Sequence, residues 1–86
     1  MGISSALYGK ISLVDGAVQE SNYHQYPLLT MRQAPEVEVH IVPSAEPPGG
    51  VGEVGLPPVV GALCNAIHAA TGVRIRTLPV GDQLKV

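Results

Sequence analysis

The segment that most constrains the fold is residues 43–56, which contain three prolines and four glycines. Proline fixes φ and lacks an N–H, and glycine loses the most backbone freedom on ordering, so this run continues neither a helix nor a strand. Its length and composition indicate a functional loop or a disordered linker. Glu53 stands among its glycines, which can adopt left-handed conformations and approach a ligand closely. We therefore expect that any catalytic activity of this chain resides in this loop.

A helix is predicted directly after this loop. Pro57 or Pro58 suits its first turn, where a missing N–H costs nothing, and Gly72 ends it. Apolar side chains recur at three and four residues and predict one buried stripe, formed by Val60, Leu63, Ile67 and Ala70. Much of the remaining surface is small and apolar, so we expect neighbours on more than one side of this helix.

Alternating side chains predict strands on both sides of the loop and helix. Residues 6–14 read as a half-buried strand, Asp15 and Gly16 as a tight hairpin turn, and residues 17–21 as the returning strand. Residues 36–42 form the clearest strand pattern, and residues 74–79 the last one.

The order strand, helix, strand favours a parallel pair joined by a right-handed crossover. The predicted fold class is therefore α+β: a β-hairpin plus a strand-loop-helix-strand unit, giving a small mixed sheet covered by one main helix. A chain of 86 residues is expected to form a single domain over residues 1–86.

The composition limits which kind of core and which classes of partner this chain can have. Phe and Trp are absent, so the core is either thin or completed by another chain. Five dispersed cations and a net charge of −2 disfavour nucleic-acid binding, and no apolar run reaches the roughly 18 residues of a membrane span, so no membrane insertion is expected. Cys64 is single and lies beside the apolar stripe, where it is expected to act as a small hydrophobe.

The histidines and charged pairs have ordinary interpretations. The spacing of His24, His40 and His68 matches no short metal-ligand motif, so we predict no metal ligands, with His40 and His68 exposed or hydrogen-bonded. Two arginines share one predicted strand face and two glutamates another, which predicts cross-strand ion pairs: Arg74 and Arg76 with Glu36 and Glu38.

Several blocks of the chain, in order, resemble a known family: residues 2–9, 15–16, 21–27, 37–44, 49–53 and 57–72. The resemblance is to the molybdenum hydroxylases of the xanthine oxidase type, at the C-terminal end of their large molybdopterin-binding subunit, and within them to the isoquinoline 1-oxidoreductase branch. It implies that Glu53 is the general base beside the metal and that Gly50, Val51 and Gly52 lie close to the cofactor. The chain departs from the family pattern at Val54, where proline is more usual, and at Gln25, where aspartate is more usual.

The resemblance also implies cofactors and partners. The complete enzyme would contain molybdenum in a molybdopterin cytosine dinucleotide, with the remainder of the molybdenum subunit and a separate iron-sulfur small subunit as partners. It would hydroxylate N-heterocycles or oxidise aldehydes. The chain reads as a fragment-like C-terminal piece, an excised domain or the product of a split reading frame. The isolated chain is expected to hold no cofactor and to be inactive. Both a cytoplasmic and a periplasmic location stay open, because any targeting signal would lie upstream.

A second hypothesis comes from a different functional class. The chain could be a small α+β interaction module that keeps the fold without a catalytic role, since a fold by itself does not establish function. An adjacent reading frame encoding the rest of a molybdenum subunit would favour the first hypothesis, and a solitary gene the second.

Overall fold

The computed structural model describes residues 1–84 and contains two α-helices, two strands and two short 3-10 helices. In chain order these are α1 (Gly2–Tyr8), β1 (Leu13–Val14), β2 (Ala17–Val18), a 3-10 helix at Tyr23–Gln25, α2 (Leu56–Thr71) and a 3-10 helix at Gly81–Leu84. The predicted α+β class is confirmed. The predicted domain of residues 1–86 extends two residues beyond the described range.

The predicted hairpin is present but shorter than expected. Asp15 and Gly16 have φ values of 49° and 77°, the positive angles that a tight hairpin turn requires at both central positions. They join β1 to β2 in antiparallel register, with Leu13 opposite Val18. The prediction of a strand from residue 6 is wrong in its first part, because residues 2–8 form α1 and Gly9 caps that helix by donating its N–H to the Ser5 carbonyl.

A side chain closes the open end of the hairpin. Ser12 donates its backbone N–H to Glu20 Oε2 at 2.8 Å. This hydrogen bond stabilises the ionised carboxylate and lowers the pKa of Glu20, against the opposing effect of desolvation.

The main helix begins and ends where the sequence predicts. Helix α2 starts at Leu56, has its prolines in the first turn, and stops at Gly72, whose φ of 74° is left-handed and whose N–H donates to the His68 carbonyl at 2.8 Å. The predicted apolar stripe is only half-buried: Val60, Leu63 and Ile67 are partly covered, and Ala70 is exposed. The neighbours expected on several sides of this helix are not supplied by residues 1–84.

Two glycine substitutions should change the stability of α2 in opposite directions. Gly72→Ala places a Cβ at a left-handed φ and should destabilise the helix end by about 1 kcal/mol. Gly61→Ala, the matched control, lies mid-helix with no atom within 4 Å of the new Cβ and should stabilise the helix by about 0.5–1 kcal/mol. Amide hydrogen exchange in the last turn should speed up severalfold in the first variant and slow in the second. Equal exchange rates in the two variants would contradict this assignment of the C-cap.

The small core lies around α1. Within residues 1–84, the buried apolar side chains are Ala6, Ile75 and Val80, and Val80 donates its N–H to the Ala6 carbonyl at 2.8 Å. Helix α1 also packs on α2, so closely at Gly2 that a Cβ there would collide with Val59 Cγ1. The core therefore joins α1 to the C-terminal segment and to the first turn of α2.

The strands predicted over residues 36–42 and 74–79 do not form, and with them the mixed sheet and the right-handed crossover are wrong. A strand needs a neighbour to accept its backbone hydrogen bonds, and the described part of the chain offers residues 36–42 none. In the later segment Ile75 is buried instead and belongs to the small core.

The cross-strand ion pairs are consequently wrong as well. Glu38 Oε1 pairs with His40 Nε2 at 2.7 Å, and Arg74 Nη2 lies 3.2 Å from His68 Nδ1. Both histidines thus have polar partners, as the sequence predicts. In neither case does the partner come from a neighbouring strand.

The chain is far more open than a self-contained protein of its mass. Its accessible surface is 7489 Å², whereas a compact protein of this mass exposes about 4,800 Å². Its radius of gyration is 16.3 Å, against about 12 Å for a compact chain of the same length. The core predicted to be thin or completed by another chain is thin. Among residues 1–84, no helix combines the length and apolar character needed to cross a bilayer.

Candidate functional site

Glu53 lies in a turn over residues 52–55 that leads directly into α2. Its carbonyl accepts the Leu56 N–H at 3.1 Å, which anchors its backbone to the start of the helix. The side chain is exposed, and within residues 1–84 its carboxylate has no hydrogen bond or ion pair. Residues 1–84 therefore fix where the Glu53 backbone sits but not where its carboxylate points.

Few hydrogen-bond donors lie near this carboxylate on the helix side. Pro57 and Pro58 occupy the first turn of α2 and carry no N–H, and the Leu56 N–H is already used by the Glu53 carbonyl. The positive end of the α2 dipole still lies three residues after Glu53. Direct donors from this chain would have to be the loop amides, which include those of Gly50 and Gly52.

The loop glycines do not adopt the left-handed conformations expected of them. Within the described residues the glycines with positive φ are 16, 72 and 81, all outside the loop. The other expected property is present, because a Cβ added at Gly49, Gly50, Gly52 or Gly55 would meet no atom within 4 Å. The backbone is bare and open at these positions, so any group that approaches it closely must come from outside residues 1–84.

Two of the four predicted site residues line an open cleft of about 450 Å³ between the two helices. Val51 and Gly52 form part of its wall, with Gly2 of α1 and Leu56 and Val59 of α2 opposite. Gly50 and Glu53 do not line it. The structure thus brings the loop, α1 and the start of α2 together, and leaves the predicted base beside this cleft rather than in it.

Gly2 is a cleft residue that sequence reasoning missed. Its missing Cβ allows α1 to contact Val59, and both residues line the cleft. Gly2 lies within a block that carries the family resemblance, but nothing in its immediate neighbours predicts that a helix from the far end of the chain packs there.

A second depression, of about 510 Å³, lies away from the loop and is lined by residues that include Ile11, Glu20, Tyr23 and Tyr26. Its carboxylate is already engaged, since Glu20 accepts the Ser12 N–H. Gln25, one of the two departures from the family pattern, accepts the N–H groups of Ser21 and Asn22 and so caps the start of the 3-10 helix in which it lies. These contacts give this region a structural role, and the Glu53 loop is the better candidate site.

Residues 1–84 contain no cluster of three or more His, Cys, Asp or Glu side chains that could hold a metal ion. His24, His40 and His68 are not brought together. Cys64 is half-buried on α2, in agreement with its expected behaviour as a small hydrophobic residue.

Comparison with known proteins finds curated relatives that match nearly the whole chain. It is 38% identical over 83 residues to isoquinoline 1-oxidoreductase subunit beta of Brevundimonas diminuta, covering 96% of this chain and 11% of that protein. It is also 38% identical over 79 residues to a membrane-bound aldehyde dehydrogenase of Gluconacetobacter polyoxogenes whose name specifies pyrroloquinoline-quinone, covering 92% of this chain and 10% of the relative.

A third relative is named for its metal. The chain is 37% identical over 87 aligned positions to a putative xanthine dehydrogenase molybdenum-binding subunit of Escherichia coli strain K12, covering 93% of this chain and 12% of that subunit. The chain thus spans about one tenth of the length of the curated relatives it matches. No protein-family model and no solved structure matches it.

Proposed function

This chain is a homologue, over nearly its whole length, of a segment of molybdenum hydroxylase large subunits, and on that premise we propose that it supplies the general base of such an enzyme. In this proposal it is the C-terminal segment of a molybdenum-binding oxidoreductase subunit, and Glu53 is the base. The observation that carries the proposal is the setting of Glu53: an exposed carboxylate, without a partner in residues 1–84, on a bare glycine backbone beside an open cleft.

The chemistry of Glu53 follows from that setting. An ionised carboxylate can take the proton of an oxygen nucleophile as that nucleophile attacks an electron-poor carbon of the substrate. A base must be free to meet its substrate, and a carboxylate already held by Lys or Arg would be a weaker proton acceptor.

The residues present fit one wall of a molybdenum cofactor site. Gly50, Val51 and Gly52 are exposed, and within residues 1–84 no atom lies within 4 Å of a Cβ placed at either glycine. When bound, a molybdopterin cytosine dinucleotide supplies the centre that accepts the two electrons removed from the substrate. Three amides cannot hold so large a cofactor, so the remainder of the subunit would bind most of it and the isolated chain none.

The proposed partners follow from the same division. Iron-sulfur clusters are usually held by several Cys thiolates, and this chain has one Cys. On the family resemblance, we propose that the clusters lie on a separate small subunit. The proposed substrates are N-heterocycles or aldehydes, in line with the names of relatives that act on isoquinoline or an aldehyde.

A chimaera tests this function directly. The segment of the Brevundimonas isoquinoline 1-oxidoreductase subunit beta that matches this chain would be replaced by residues 1–86, and the protein expressed with its partner subunit in a host that makes the cofactor. We expect stoichiometric molybdenum by elemental analysis and turnover of isoquinoline within about tenfold of the parent enzyme, because the chain carries the base but little of the remaining site. Elemental analysis also separates a molybdenum enzyme from a quinoprotein.

The non-catalytic interaction module is the second candidate. The exposed apolar surface of the chain is compatible with this module as well as with the catalytic segment. The same chimaera distinguishes the two functions. An assembled chimaera that contains molybdenum but turns over no substrate would support the module and overturn the catalytic role of this segment.

A further inference from the structure

Residues 36–42 have the side-chain pattern of a strand but form none within residues 1–84. Their side chains alternate, with Val37, Val39 and Ile41 exposed to 74%, 73% and 87%. Glu38 and His40, two positions apart, contact each other through their side chains, as side chains on one face of an extended chain do. Among residues 1–84 no backbone hydrogen bond joins this segment to any other. An extended β-branched segment with free N–H and C=O groups is a template for strand pairing.

The exposed apolar face of this segment continues into the cleft beside the loop. Val37 lines that cleft together with Val51 and Gly52. One surface therefore runs from residues 36–42 to the loop proposed to contact the cofactor. The chain exposes about 2,700 Å² more than a compact protein of its mass. A standard interface buries about 800 Å² on each partner. The area left open is therefore that of an extensive, obligate interface rather than one small contact.

We infer that residues 36–42 pair as a β-strand with an open sheet edge in the remainder of the molybdenum subunit, and that this pairing positions Glu53. The inference rests on the proposed function, which supplies the occupant. In the relatives, about nine tenths of the length lies outside the matched segment, so that much chain would be covalently joined to this segment and held at high local concentration. Alternation specifies the partner's chemistry: an edge with free backbone groups, and apolar side chains facing Val37, Val39 and Ile41.

The consequence for the site is geometric. Residues 36–42 are followed by Pro43, and residues 44–55 connect them to α2. The first turn of α2 is already packed on α1. Pairing residues 36–42 would fix the open end of this loop, while α2 fixes the other end. A loop rich in glycine that is tied at both ends has far fewer conformations than one tied at a single end. Residues 36–42 thus act as a positioning element for the proposed base.

Hydrogen exchange on the complete subunit, or on the chimaera, tests this pairing. We expect the alternate amides of residues 36–42 that face the sheet edge to exchange at least about 100-fold more slowly than in an unstructured peptide of the same sequence. Val39→Asn should return them to within about tenfold of the peptide rate. His40→Asn, the matched control, introduces the same side chain on the other face and should retain most of the protection. Val39→Thr keeps the branched shape and should have an intermediate effect if the Asn variant does not fold.

The outcomes separate this inference from the proposed function. If the subunit binds molybdenum and turns over while residues 36–42 exchange at the peptide rate, the pairing is wrong and the function stands. If the segment is protected but neither molybdenum nor turnover is found, the function is wrong and the pairing stands with another role. Protection that disappears on dilution, together with dissociation of a dimer by sedimentation, would identify a second copy as the occupant and overturn the inference.

Discussion

Replacing Glu53 with glutamine in the complete subunit is expected to slow substrate oxidation by about 10² to 10⁴-fold, the range typical for loss of a general base. Glutamine keeps the size of the side chain and a hydrogen-bonding oxygen but cannot accept the proton at neutral pH. Because the exposed Glu53 side chain makes no hydrogen bond or ion pair within residues 1–84, its replacement should leave folding and cofactor content unchanged. Single-turnover reduction of the metal centre is the appropriate measurement, since it separates chemistry from later electron transfer.

The loop offers a matched control for this substitution. Glu46 is also exposed and lies seven residues earlier in the same segment, so Glu46→Gln removes an equal charge without removing the proposed base. It should reduce the rate less than about twofold. Glu53→Asp keeps the charge but withdraws it by one methylene, and should fall between Gln and the parent. A Gln variant that reduces its metal at nearly the parent rate would rule out Glu53 as the base.

The isolated chain of 86 residues is expected to retain no molybdenum and to show no turnover, even when made in a host that supplies the cofactor. Its proposed cofactor contacts are three loop amides, and its cleft is open to solvent. The structure adds a second reason: three buried apolar side chains within residues 1–84 cannot offset the conformational entropy of ordering the chain. Urea unfolding of the isolated chain should therefore lack a cooperative transition, although the sequence alone led us to expect a folded domain.

The complete subunit, or the chimaera, is the control for this experiment. Joined to the rest of the protein, the same residues should become protected from hydrogen exchange and the molybdenum content should approach one atom per subunit. Stoichiometric metal or measurable turnover in the isolated chain would show that the segment is self-sufficient, and the division of the site proposed above would then be wrong.

The candidate site was predictable from the sequence only in part. Glu53 and its glycines stand out as residue types, and the family resemblance assigns their roles. The packing of Gly2 on Val59 beside them does not follow from local pattern, because that contact joins residues more than fifty positions apart. For Gln25, in contrast, the structure and not the family resemblance assigns the role. The sequence marked it as a departure from the family, and the structure shows it capping a 3-10 helix.

The sequence by itself determined the hairpin turn and the main helix. Asp15 and Gly16 tolerate positive φ, Pro57 and Pro58 suit a first turn, and Gly72 suits a left-handed cap, so each of these signals acts through neighbours in the chain. Tertiary structure alone decided what residues 36–42 and 74–79 become. Alternation specifies that a segment has two faces, but a strand exists only when another strand accepts its hydrogen bonds. Residues 1–84 contain no partner for the first segment, and in the second Ile75 became part of the small core instead.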